Sequence, residues 1–199
     1  MLPFRPRRCR PVVVALVLAA VVGAPAVATA PATAHPGHDR STPARGSDMT
    51  PDLRRVREAT RAFRDVEVAK AAGYRATGDC TDDPKYGGMG IHYANEELVA
   101  DGRLDITKPE ILVYQPNRHG DLRLGAVEYF QVDADQDLAT DEDRPSLFDL
   151  PFDGPMLGHE PGMPIHYDLH VWLYRHNPAG MFAMWNPRVD CPDEAVDAA

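Results

Sequence analysis

The chain has 199 residues, with 30 acidic and 21 basic side chains and a formal net charge of −9. Nucleic-acid and anionic-membrane partners require basic surfaces, so this balance argues against both. The first 34 residues carry four arginines and no acidic residue, so their removal leaves 165 residues with a formal charge of −13. That length is enough for one domain with its own hydrophobic core.

The N-terminal segment has the pattern of a signal peptide. Four arginines precede the apolar run 12–22, and small residues follow, with Ala-x-Ala sites that end at Ala30 and Ala34. The apolar run is shorter than the ~20 residues that a spanning helix needs. We therefore predict a signal peptide over residues 1–34, cleaved after Ala30 or Ala34, and a secreted protein without membrane attachment after cleavage.

The folded part is predicted to begin with a helix. Residues 35–49 are rich in Pro, Gly, Ser and charge, which is typical of a flexible arm. Thr50 suits the N-cap, Pro51 the first helical position and Gly73 the C-terminal stop. Between them, apolar residues recur at helical spacing: Leu53, Val56, Phe63, Val66 and Ala69. This pattern predicts one amphipathic helix with its apolar face on a sheet.

The remainder of the chain reads mainly as strands. Strand-like segments lie at 89–93 (MGIHY), 111–115, 122–132, from 165 onward, and at 181–185. One helical turn is predicted at 95–100, an acidic loop at 133–143, and irregular structure over the Pro-rich run 145–164. A helix followed by antiparallel strands predicts a single α+β domain over residues 50–199. In it, the N-terminal amphipathic helix packs on a curled antiparallel sheet or a small β-barrel.

Two cysteines remain after removal of the leader, Cys80 and Cys191. In an oxidising compartment such a pair predicts one disulfide. A pair of thiolate metal ligands is the alternative.

The segment 158–174 (GHEPGMPIHYDLHVWLY) holds three of the eight histidines. From position 165 its residues alternate between two faces of a strand. One face is apolar: Ile165, Tyr167, Leu169, Val171 and Leu173. The other is polar and aromatic: His166, Asp168, His170, Trp172 and Tyr174. We interpret it as a core strand that presents a polar site.

A carboxylate interrupts another strand. Glu128 falls in the apolar row of the segment 122–132: Leu122, Leu124, Ala126, Phe130 and Val132. A buried carboxylate is neutralised, paired with a cation or bound to a metal. The alternatives are a bulge that leaves Glu128 at the surface, or a salt bridge with an arginine.

Strand geometry limits which side chains can share one ion. Residues four apart lie ~13 Å apart, so His166 and His170 cannot both bind it, whereas Asp168 can pair with either at ~7 Å. Partners come from other segments: Glu128, His159 in the Pro/Gly loop, and His92 after a glycine-rich turn, where the backbone can approach a ligand closely. The predicted ligand pool is His92, Glu128, His159, His166, Asp168 and His170.

Imidazole and carboxylate ligands together suit a divalent transition metal such as zinc, copper, iron or nickel. Asp168 could instead lie behind a ligating histidine and fix its tautomer. Two other motifs are weaker. Asp133, Asp135 and Asp137 resemble the start of a calcium loop, but Leu138 and Arg144 stand where its glycine and glutamate belong, which favours a solvated loop. A copper brace of His35 and His38 requires cleavage after position 34.

Two sets of residues resemble known sequences. MGIHY with LGAVEYF, followed by the run 145–191, resembles a group of secreted, mainly actinobacterial hypothetical proteins. GHEP…PIHYDLH is similar to secreted domains of unknown function with a GHEP…PH-aromatic-D-aromatic-H stretch, although Leu169 stands in place of an aromatic residue. The resemblance implies that the segment is one unit and brings no function with it.

The leading hypothesis is a secreted protein that binds one transition-metal ion and, if catalytic, activates water or dioxygen there. A non-enzymatic, metal-free extracellular protein that binds a small molecule or a partner chain through its His-Trp-Tyr face is the alternative. A third is that this face packs under the helix, with its histidines hydrogen-bonded in the core.

Overall fold

A computed structural model of the chain describes residues 49–117, 119–159 and 162–191. The predicted signal peptide (1–34), with both cleavage sites, lies outside these residues, as do the copper-brace histidines and the arm 35–49 apart from Met49. None of the described helices has the length and hydropathy needed to traverse a lipid bilayer.

The N-terminal helical region is interrupted. It consists of α1 Pro51–Thr60, a 3-10 helix Arg61–Arg64 and α2 Val66–Ala71. The predicted N-cap is confirmed, because Oγ1 of Thr50 accepts a hydrogen bond from the backbone N of Leu53 at 3.3 Å. The prediction of one continuous helix is wrong. Asp65 is extended, and its side chain accepts from the backbone N of Glu67 at 3.0 Å, so it caps a second helix.

The other elements of the described residues are one helix, α3 Glu96–Asp101, and nine strands: β1 Arg75–Ala76, β2 Thr81–Asp83, β3 Gly87–Ala94, β4 Ile111–Pro116, β5 Leu122–Val132, β6 Ser146–Leu147, β7 Leu150–Pro151, β8 Asp153–Met156 and β9 His166–Val171. The strands predicted at 89–93, 111–115, 122–132 and from 165 are confirmed within one or two residues, as is the helical turn. The strand predicted at 181–185 is wrong, since only an isolated bridge between Gly88 and Asn186 occurs nearby. The irregular run 145–164 in fact contains β6, β7 and β8.

No turn motif in the sequence predicts the β6–β7 hairpin. Its two-residue turn is formed by Phe148 and Asp149, which have φ values of 57° and 59°. Positive φ at both central positions is usually marked by Asn-Gly or Asp-Gly, and this turn has neither.

Seven of the nine described strands form one antiparallel sheet. Its order is β1-β3-β4-β5-β9-β8, β2 pairs with β3, and β6–β7 is a separate two-stranded ribbon. Every pairing is antiparallel. The sheet is not closed, so the barrel alternative is wrong.

Each face of the sheet has its own apolar cluster. The helices cover one face, where Leu53 and Val56 pack with Tyr114, Tyr129 and Leu169. The opposite face carries a smaller cluster: Ile111, Val113, Ala126, Phe130, Trp172 and Val189. The alternation predicted for β9 is confirmed as far as Trp172.

Three residues at the ends of the predicted rows lie on the helix side instead: Leu122, Leu124 and Tyr174. The hydroxyl of Tyr174 lies 2.9 Å from Oγ1 of Thr60, because the chain turns after β9. Leu124 also packs with the helices, because the register between β4 and β5 shifts beside Gly125 and reverses the face of the residues before it. The residues after the shift, including Glu128, face away from the helices.

The predicted disulfide is confirmed. Cys80 and Cys191 are bonded, with their Cα atoms 5.5 Å apart, and the two residues are 111 positions apart in sequence. The bond ties the segment before β2 to the C-terminal segment, so the thiolate metal pair is wrong.

Candidate metal centre

The register of the central strands places a carboxylate beside an imidazole. In the pairing of β5 with β9, Glu128 lies directly opposite His170. Side chains directly opposite each other have Cβ atoms about 4.5–5.5 Å apart and point to the same face. Glu128 is 4% exposed and His170 is fully buried. The sheet therefore holds both groups in its interior, on the face away from the helices.

A second imidazole comes from a strand that does not touch β5. His92 lies on β3 opposite Val113 of β4, so its side chain reaches across β4 to Glu128. Nε2 of His92 is 3.2 Å from Oε2 of Glu128, and Nε2 of His170 is 3.4 Å from the same oxygen. One ligand atom from each of the three residues lies within 4.8 Å of the others.

These separations fit a shared metal ion. Metal–nitrogen and metal–oxygen bonds are about 2.0–2.2 Å in zinc sites, so adjacent ligands at tetrahedral to octahedral angles are about 3.0–3.4 Å apart. Oε2 of Glu128 and both ring nitrogens of His170 are buried and make no hydrogen bond within the described chain. Buried polar atoms in this state are costly unless a further partner satisfies them.

The two buried groups stabilise each other's charged forms. Burial opposes ionisation of Glu128, but the neighbouring His170 and His92 hold its pKa below the usual range. Burial also opposes protonation of His170, yet the Glu128 carboxylate and then Asp168 raise its pKa to about 9. Both shifts favour a carboxylate beside an imidazolium in the metal-free protein, so a metal ion that binds Nε2 of His170 displaces a proton.

Asp168 lies behind His170. Its Oδ1 is 3.7 Å from Nδ1 of His170, on the side of the ring away from Glu128. Asp168 is 1% exposed, and burial raises its pKa. A carboxylate behind the second nitrogen of a ligating imidazole fixes the ring orientation and tautomer. This is the alternative role considered for Asp168 from sequence.

The two other predicted ligands do not join the cluster. Nδ1 of His166 is 3.1 Å from the carbonyl oxygen of Pro164, and its ring stacks on Phe130 with centroids 4.7 Å apart. His159 is exposed, and its ring lies edge-on to that of His166 with centroids 5.3 Å apart. Of the six predicted ligands, three therefore form the cluster: His92, Glu128 and His170. Asp168 lies behind His170, and His159 and His166 form a separate pair.

The glycines before His92 bring β3 close to neighbouring backbone. Gly90 has φ +118°, and a Cβ there would collide with the backbone carbonyl of Tyr114. At Gly88, a Cβ would lie 2.8 Å from Cγ1 of Val189. They allow β3 to approach its neighbours closely, which positions His92.

The cluster opens onto a cavity of about 450 Å³. Its lining includes His92, Glu128, Asp168, His166 and His159, whereas His170 lies behind it. The segment 75–81 forms another part of the wall, and sequence reasoning missed it because β1 has two residues and shows no periodic pattern.

The acidic loop is bonded internally. Asp133, Asp135 and Asp137 each accept a hydrogen bond from a backbone N two residues further on, at 3.3, 3.0 and 3.0 Å. These bonds turn the loop back on itself.

No family model matches this chain, and neither the curated proteins nor the solved structures include a match to it. The resemblance to secreted actinobacterial proteins, drawn from MGIHY and GHEP…HYDLH, stays a prediction. The described part of the chain has an antiparallel sheet, one disulfide, and a buried His92–Glu128–His170 cluster that could hold a metal ion.

Proposed function

We propose that this protein binds one divalent transition-metal ion through Nε2 of His92, the Glu128 carboxylate and Nε2 of His170. The observation that carries the proposal is the convergence of the two imidazoles on one buried carboxylate oxygen, at 3.2 and 3.4 Å. Two nitrogens and one oxygen suit zinc, copper or iron better than calcium or magnesium.

Three protein ligands leave a coordination position open. His92 and Glu128 line the cavity, so the open position faces it. Sites of this kind bind and polarise a small molecule or activate a water molecule, whereas structural zinc sites use four protein ligands. We propose a metal site that meets small molecules in the cavity. Secretion is part of the proposal, supported by the leader sequence and by the disulfide, which forms in oxidising compartments.

Elemental analysis of the protein, expressed without a His-tag and supplied with zinc, copper or iron, tests the site. Wild type should retain about one ion per chain after gel filtration. Glu128→Gln and His170→Ala should retain far less, because each removes a ligand. His119→Ala is the matched control, since it removes an imidazole from the exposed β4–β5 turn.

Equal metal retention by His170→Ala and His119→Ala would show that the ion binds elsewhere. Wild type that takes up no metal would favour the metal-free alternative, for which the cavity of about 450 Å³ is the supporting observation.

A further inference from the structure

The cavity in front of the cluster is chemically two-sided. His92, Glu128 and Asp168 form its polar part beside the cluster, and Arg75, Asp79 and Glu96 add charged groups elsewhere on the wall. Most of the remaining exposed lining is apolar: Ala76, Met89, Ala94, Val99, Ile111, Phe130, Met163 and Pro164. An apolar wall with a few convergent polar groups is the usual construction of a small-molecule site.

Phe130 fixes the aromatic part of this wall. It is 5% exposed and stacks on His166, with an angle of 26° between the ring planes. Both residues lie on the same face of paired strands, so their positions follow from the sheet register. A ring already held by stacking can accept a planar ligand without losing further side-chain freedom.

The charges around the cavity disfavour anions. Four carboxylate residues line it, Asp79, Glu96, Glu128 and Asp168, and among the described lining residues Arg75 is the only lysine or arginine. Its Nη1 donates to the carbonyl oxygens of Lys70 and Tyr74, at 2.5 and 2.8 Å. That nitrogen is already engaged with backbone, which leaves the guanidinium less able to hold a ligand's carboxylate or phosphate.

Size sets a further limit. A cavity of about 450 Å³ is near the lower end of the range for ligand sites, about 300–1,000 Å³. One aromatic ring with a short substituent suits it.

We propose that the cavity binds an uncharged, largely apolar small molecule, of the size of a substituted aromatic ring, that offers one nitrogen or oxygen donor to the metal ion. This rests on the proposed metal site. The apolar walls supply the affinity, and the open coordination position orients the donor atom.

Cobalt-loaded protein and three probes test the proposal. Cobalt(II) is a spectroscopic substitute for zinc, and its visible spectrum reports a new ligand. All three probes, imidazole, 4-phenylimidazole and imidazole-4-acetate, offer the same imidazole nitrogen as donor. The second probe adds an apolar ring to imidazole, and the third adds a negative charge. We expect 4-phenylimidazole to bind about tenfold or more tightly than imidazole, because its ring is buried in the cavity. Imidazole-4-acetate should bind no more tightly than imidazole.

A cavity-filling variant localises the effect. Val99 on α3 lines the cavity, whereas Val68 on α2 is 41% exposed and outside it. Val99→Phe should retain cobalt and lose the preference for 4-phenylimidazole, and Val68→Phe should keep both. Cobalt uptake without that preference, or tightest binding of the acetate probe, would refute this proposal alone. A wild type that takes up no cobalt would refute the proposed metal site, and this proposal with it.

Discussion

His92 and Glu128 lie on strands separated by a third strand, yet Nε2 of His92 is 3.2 Å from Oε2 of Glu128. The contact spans β4, with His170 on the far side of Glu128. Three strands thus supply one ligand each, so the geometry of the cluster is fixed by the sheet and not by a loop. Sites on strands are held more rigidly than sites on loops.

Asp168→Asn should weaken metal binding about 10- to 100-fold, because the side chain no longer provides a negative charge behind His170. The amide keeps the shape of the carboxyl group, so the fold should be retained. Competition with a chromophoric chelator measures the affinity. Asp121→Asn, at an exposed position just before β5, is the control. Equal effects of the two substitutions would contradict the orienting role.

Metal affinity should rise with pH up to about 9. The pKa of His170 is about 9 without metal, so below that pH the ring must release a proton when the ion binds. Affinity at pH 6 should therefore be lower than at pH 8, by about tenfold per pH unit for one released proton. Calorimetry in buffers with different ionisation enthalpies counts the protons. Binding at pH 7 without proton release would contradict Nε2 of His170 as a ligand.

Glu110→Gln should stabilise the protein at high pH. Burial raises the pKa of Glu110 to about 7 from an unfolded value of 4.5, so the unfolded state loses its proton first. Stability contributed by this group is therefore lost as pH rises above 4.5, and the loss continues to grow until about pH 7. The variant keeps an acceptor for the backbone N of Phe130 and should gain about 3 kcal/mol at pH 8.

At pH 4 that difference should vanish, because Glu110 is then largely protonated in both states. Urea unfolding from pH 4 to pH 8 measures it, with the exposed Glu97→Gln as the control. A gain that does not depend on pH would point to packing instead of ionisation.

Gly90→Ala should impair both stability and metal binding. A Cβ at position 90 collides with the Tyr114 carbonyl, so β3 must move away from β4 and carry His92 with it. Gly102→Ala is the control, since Gly102 also has positive φ but a Cβ there meets nothing within 4 Å. Chemical unfolding of both variants measures the backbone strain, which we expect to cost about 1 kcal/mol. Metal titration of both variants reports the displacement of His92. Equal metal affinity in the two variants would contradict the positioning role.

The Cys80→Ser/Cys191→Ser protein should lose about 2–5 kcal/mol of unfolding free energy. The disulfide joins positions 111 residues apart, and a cross-link of that span removes much of the freedom of the unfolded chain. Urea unfolding with and without reductant checks this. Reductant should destabilise wild type and leave the variant unchanged, and an effect on the variant would show another cause.

The sequence by itself determined part of the local structure. Alternation defined β9 and β5, because a strand with one face in a core repeats every two residues. Thr50 and Pro51 marked the start of α1, because capping depends on neighbouring residues only. The disulfide could be predicted because two cysteines remain after the signal peptide, which directs the chain to an oxidising compartment.

The tertiary structure alone decided which predicted ligands meet. His166 and His170 share a face of one strand, and only the pairing of β5 with β9 puts Glu128 opposite His170. The bulge beside Gly125 sets which face Glu128 occupies, and its position depends on the partner strand. Contacts between β3, β5 and β9 join residues 36 to 78 positions apart. Such contacts depend on register and strand order, which no local pattern encodes.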